Sequence, residues 1–180
     1  MKVGEQTSRH LLLAIITTAF SGGLGLITLA MSWELWMVPL IGAGCLSVWL
    51  LHIGKIGSDT AYEALCAGLM LLEFFFFGVH EGSLFDIPAV ACIIILALFM
   101  LNKKWVLYTL VGLYILLLLY HALVLRTISW RLGFQEGLRL ALGAAVTLGG
   151  AALAVYWIKL RSIQKKWYDQ MLTELETAGR

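Results

Sequence analysis

Residues Gly137–Ile158 read GLRLALGAAVTLGGAALAVYWI, and Lys159–Arg180 follow directly as KLRSIQKKWYDQMLTELETAGR. The first stretch is apolar and has the length of a bilayer-crossing helix, roughly 20 residues at about 1.5 Å each for a core of about 30 Å. No Pro lies in either stretch, and no Gly stands between Gly150 and Gly179. Nothing therefore stops the helix where the apolar residues give way to charged ones. This joint decides the fold class. It predicts an all-α, polytopic integral membrane protein whose last span, 137–158, continues into a cytoplasmic amphipathic connector helix, 159–180.

The composition agrees. Of 180 residues, 61% are hydrophobic and 13% charged, with a mean hydropathy of +0.88. Soluble chains run nearer about 45–50% apolar and about 25% charged. The net charge of +2 does not point to nucleic acid, because the basic residues gather at the edges of apolar blocks. Cys45, Cys66 and Cys92 lie inside apolar runs with no CxxC or metal-ligand spacing, which reads as small buried apolar side chains. The first apolar block is too long, and lacks the small-residue cleavage site, for a removable signal peptide.

Upstream of the last span the pattern predicts five more, at 11–31, 36–53, 61–79, 87–101 and 105–125. MKVGEQTSRH is a short polar lead. Gly22, Gly23 and Gly25 in the first span suit close helix approach. Trp33 and Trp36 flank Glu34 in the first turn as interface anchors, and Trp130 anchors the longest connection, 126–136. Pro39 and Pro88 fall in the first turns of the second and fourth spans, where a missing N–H costs little. Ser58 or Asp59 is the expected N-cap of the third span. The fourth span is short, and a start at Ser83 would lengthen it.

Six spans place both termini on one side. Lys2, Arg9, Lys55, Lys103, Lys104, Lys159, Arg161, Lys165 and Lys166 fall on that side. Arg126, Arg131 and Arg139 fall on the other, together with Glu34, Glu81, Asp86 and Glu136. The positive-inside bias predicts cytoplasmic termini. Along the sixth span a small residue recurs every fourth position: Gly137, Ala141, Ala145 and Gly149. Such a stripe suits packing against a neighbouring span of the same subunit, or a dimer seam continuous with the tail. In the tail, Leu160, Ile163, Trp167, Met171 and Leu175 are spaced by three and four and share a face. That face fits the start of a parallel two-helix coiled coil. The alternative is a basic helix on anionic head groups, which Glu174 and Glu176 weaken.

Glu73 is the one acid well inside an apolar run, LCAGLMLLEFFFFGVH, and an intramembrane acid is costly and usually functional or paired. It stands two helical turns before His80. His121 falls near the same end of the fifth span, so Glu73, His80, Glu81, Asp86 and His121 form a candidate stimulus or ligand pocket near the outer face. The plainer reading is an interface histidine at each helix end and a glutamate bonded to a neighbouring helix. A bis-histidine haem on His80 and His121 is disfavoured, since His10 and His52 complete no second pair and CxxCH is missing. No nucleophile–base pair and no H-E-x-x-H helix is present. Hence no catalytic residue, metal or cofactor is assigned.

The short basic N-terminus, six spans with tiny loops and a last span running into a charged helix ending ELETAGR resemble the N-terminal multi-span membrane sensor domains of bacterial sensor histidine kinases, hybrid kinases and diguanylate cyclases. The resemblance covers the whole chain in architecture. In such kinases that helix leads into a phosphoacceptor segment, A-K-x-x-F-L-x-x-M-S-H-E-x-R-T-P. None of His10, His52, His80 or His121 sits in an S-H-E setting, so no phosphoacceptor is carried over. The resemblance implies a dimeric input module in the plasma (inner) membrane, whose kinase or cyclase lies downstream and acts in a response-regulator pathway. The second expectation is a small transporter or transport-associated subunit, with Glu73 as its polar centre. No inverted repeat or pair of broken helices supports it. An intramembrane enzyme comes third.

Overall fold

The computed structural model describes residues 3–55, 58–128 and 132–178. Lys2, Trp130 and Arg131, used above for anchoring and orientation, lie outside them. The described residues form α1 (Val3–Ala30), α2 (Met37–Gly54), α3 (Asp59–Gly78), α4 (Ile87–Phe99), α5 (Lys104–Leu123) and α6 (Phe134–Ala178), with one 3-10 turn at Glu81–Ser83.

Local signals set the helix starts. Ser58 caps α3 by accepting the Ala61 N–H at 3.2 Å, satisfying one of the free donors of the first turn. Pro88 lies at the start of α4, where its missing N–H has no intrahelical partner to lose. Ends are marked by left-handed residues: Ser32, Lys55, Asn102 and Arg126 have φ between 49° and 56°, the conformation that turns the chain out of a helix. The polar lead differs from expectation, because α1 is helical from Val3.

Successive helices alternate in direction. At one end, Glu63 of α3 pairs with Arg9 of α1 and with Lys103 before α5, each at 2.7 Å. Tyr62 donates its hydroxyl to the His10 carbonyl at 2.9 Å. The starts of α1, α3 and α5 therefore meet. At the other end, the His121 ring of α5 meets the Gly78 carbonyl of α3 at 2.8 Å. The middle helix is α3, packed on α1, α2, α4 and α5, while α6 packs on α4 and α5. Cys66, Ala67 and Phe74 of α3 are fully buried.

Among the described residues, five helices are long and apolar enough to cross a membrane: α1 from Ser8, α2, α3, α5 and α6. The stretch expected to span at 87–101 is helical for only 13 residues, about 20 Å. Tight turns prolong it, with Met100, Leu101 and Asn102 donating to Ala97, Leu98 and Phe99. Its start is not extended to Ser83 as helix, since the chain there makes the 3-10 turn. The surface is apolar, with Leu26, Leu96 and Leu153 about 70% exposed, while Ser21, Glu73 and Thr147 are buried. Large exposed apolar surface is what a lipid-facing exterior requires. The all-helical architecture is compatible with that of a polytopic membrane protein.

The glycines that mediate close approach are not the expected ones. A Cβ at Gly22, Gly23 or Gly25 would meet nothing within 4 Å. At Gly143 it would lie 2.6 Å from Pro88, and at Gly78 it would run into the Leu117 side chain. These two glycines let α6 seat on α4 and α3 seat on α5.

Candidate functional site

Of the five residues grouped as a candidate pocket, Glu73, His80 and His121 each have separate partners. Glu73 is fully buried on α3, and its Oε1 accepts the Ser21 hydroxyl of α1 at 2.5 Å. Its Oε2 has no hydrogen-bond partner among the described residues. Glu73 is thus a helix–helix tie between α1 and α3, with one oxygen left over.

His80 is not on the α3 helix and does not continue the face of Glu73. The chain turns extended at His80, which precedes the 3-10 turn. The imidazole stacks on Trp33 at 3.7 Å between ring centres and 11° between planes, and the edge of Phe76 closes a second side at 4.9 Å. Its Nδ1 donates to the Phe76 carbonyl at 2.8 Å, and its Nε2 meets the Glu34 carboxylate at 2.9 Å. The hydrogen bond from His80 holds the Glu34 carboxyl below its ordinary range, because it favours the charged form. Trp33 and Glu34 come from the α1–α2 turn, so this cluster pins that turn to the end of α3.

His121 is fully buried. One ring nitrogen meets the Gly78 carbonyl and the other the Thr127 hydroxyl, at 2.8 and 2.9 Å. The Thr127 hydroxyl also donates to the main-chain carbonyl of His121 at 3.2 Å. His121 therefore locks the end of α5 to the end of α3. Glu81 and Asp86 are exposed. Among the described residues no three His, Cys, Asp or Glu side chains come close enough to hold a metal ion.

The residues expected to form a relay and dimer face lie on α6. Gly137 is half-buried, and Ala141, Ala145 and Gly149 are exposed. They do not pack within the subunit as one stripe. The packed face is offset from them, with Thr147, Ala151, Ala154 and Ile158 buried. The reason is Gly143: it, rather than the four-residue repeat, is the position that lets Pro88 approach. Arg161 lies over the Phe99 ring at 5.6 Å. Beyond it the helix leaves the bundle, and Ile163, Trp167, Met171 and Leu175 are 44–69% exposed. Leu160, just before, is half-buried.

Sequence reasoning missed two groups. The Ser21 partner of Glu73 was hidden because a serine in an apolar run carries no marker of which helix it faces. The Arg9–Glu63–Lys103 triad was hidden because Arg9 and Lys103 read as solvent-edge charges. Compared with protein-family models, curated proteins and solved structures, the chain matches none.

Proposed function

We propose that this chain is the membrane-embedded input module of a signal-transduction protein, of the sensor histidine kinase or diguanylate cyclase type. In this reading all six helices cross the plasma (inner) membrane, and both termini are cytoplasmic. The observation that carries it is α6, 45 residues of uninterrupted helix. Its first half packs on α4 and α5, and its second half is exposed from Arg161 to Leu175. A rod clamped in the bundle and free beyond it transmits any change of packing as a translation, tilt or rotation of its far end.

A stimulus acts on such a module by favouring one of two packings, and it shifts the balance only through differential affinity for them. The exposed tail face of Ile163, Trp167, Met171 and Leu175 supports a parallel homodimer seam into a downstream output domain. The basic Arg9, Lys55, Lys103 and Lys104 near the shared starts of α1, α3 and α5 support cytoplasmic placement of that end. A second reading, a small transporter or transport-associated subunit, is favoured by the buried Glu73 and its unpartnered oxygen.

The test is crosslinking of single cysteines placed in turn from 160 to 175, in a chain whose Cys45, Cys66 and Cys92 are replaced by Ala, in membranes. Maxima at 160, 163, 167 and 171 are the expected result. A flat profile would withdraw the relay and leave transport as the better reading.

A further inference from the structure

Both α1 and α4 pack along α3's neighbourhood yet diverge over it, leaving a groove. Gly23 and Ile27 form one wall, Val90, Ile94 and Ala97 the other, and Phe77 part of the floor. Its volume is about 430 Å³. A second cavity of about 340 Å³ continues it, sharing Ile27, Phe77 and Val90 and ending at Trp33, Ser83 and Asp86. The pair forms an apolar channel with a polar mouth, open along its side.

The geometry points to a single lipid acyl chain in this groove, with a primary-ammonium head group held by Asp86. This rests on the membrane reading of the bundle but not on the sensor reading. Length is the first argument. From Ile87 to Ala97 the wall rises about 15 Å at 1.5 Å per residue, half of a hydrocarbon core of about 30 Å. That is the depth of one leaflet, with Asp86 at head-group level. Width is the second. Only Ala19, Gly23 and Ala97 of its lining are small, the rest being large apolar side chains such as Ile27, Ile93 and Ile94, whereas a docked helix needs a continuous row of small residues for close approach. A flexible chain needs no such row.

Charge is the third argument. Asp86 is exposed at the mouth and has no ion-pair partner among the described residues. The nearest ionisable base on this turn, His80, is already held by Glu34, Phe76 and Trp33. Among the described residues the lining of the mouth therefore holds a carboxylate and no Lys or Arg. It complements an ammonium and repels a head group whose only charge is a phosphate.

The experiment is lipid retention. The chain is reconstituted in nanodiscs of equal phosphatidylethanolamine and phosphatidylglycerol, extracted into mild detergent, and its bound lipid counted by native mass spectrometry. Wild type should retain phosphatidylethanolamine in preference by about fivefold, the scale of a partly exposed ion pair. Asp86→Asn should keep a bound lipid but lose the preference. Gly23→Phe should lose the retained lipid, with helicity unchanged by circular dichroism because the site around Gly23 is open. Equal retention of both lipids by wild type, or an unchanged preference in Asp86→Asn, would overturn the head-group assignment. Retention unaffected by Gly23→Phe would show the lipid to be bound elsewhere and overturn the groove. None of these results depends on crosslinking in the tail, so the two readings fail separately.

Discussion

His80 presents two ring nitrogens to two acceptors, the Phe76 carbonyl and the Glu34 carboxylate. Both bonds are made together only when the ring carries two protons, and the resulting cation then lies flat on the Trp33 face, a favourable arrangement. Glu34 titrates lower in the fold than in the unfolded chain. Its contribution is therefore complete above the unfolded value and is lost as pH falls through the lowered folded value. We expect the thermal midpoint of wild type in detergent to fall across the acid range more steeply than that of Glu34→Gln. In His80→Phe the ring stack is kept but the donor is gone, and the Glu34 carboxyl, followed by NMR, should titrate higher. A Glu34 titration unmoved by His80→Phe would remove the hydrogen bond as its cause.

Among the elements, α6 shows how one helix serves two surfaces. Gly143 abuts Pro88, whereas a Cβ at Gly149 meets nothing within 4 Å. Gly143→Leu should destabilise the α4–α6 contact by about 1–3 kcal/mol, the usual cost of overpacking. Gly149→Leu should leave the monomer's stability within about 1 kcal/mol, the scale of its helix-propensity gain. If the exposed stripe of Ala141, Ala145 and Gly149 is a dimer seam, Gly149→Leu should instead lower the dimer fraction measured by analytical ultracentrifugation. Equal thermal destabilisation by the two variants would contradict the packing described for α6.

At the scale of the molecule, α4 decides the topology. Its 13 helical residues cover about 20 Å. Yet its neighbours α3 and α5 run parallel, since Glu63 meets Lys103 at one end and Gly78 meets His121 at the other. The segment between them must therefore travel the height of the bundle, helped by the turns at Glu81–Ser83 and Met100–Asn102. We expect a membrane-impermeant thiol reagent to label cysteines at 55 and 103 from one side and at 34 and 81 from the other. Labelling of 81 and 103 from the same side would make α4 a re-entrant segment and place the termini on opposite faces.

The sequence alone determined the all-helical class, five helices long and apolar enough to cross a membrane, a cap at Ser58 or Asp59, the prolines in first turns, and the unbroken joint at Lys159. These are local properties: apolar length, breakers and caps act within a few residues of where they are written. Only the tertiary structure decided which face of each helix points inward. In a chain whose exterior is as apolar as its interior, periodicity does not separate a lipid-facing leucine from a buried one, and small-residue stripes suit either surface. Hence Ala141, Ala145 and Gly149 lie outward while Gly143 seats on Pro88. For the same reason Glu73 finds Ser21 rather than the outer histidines, and His80 closes on Glu34, 46 positions away, because partners across a bundle are chosen by packing in three dimensions.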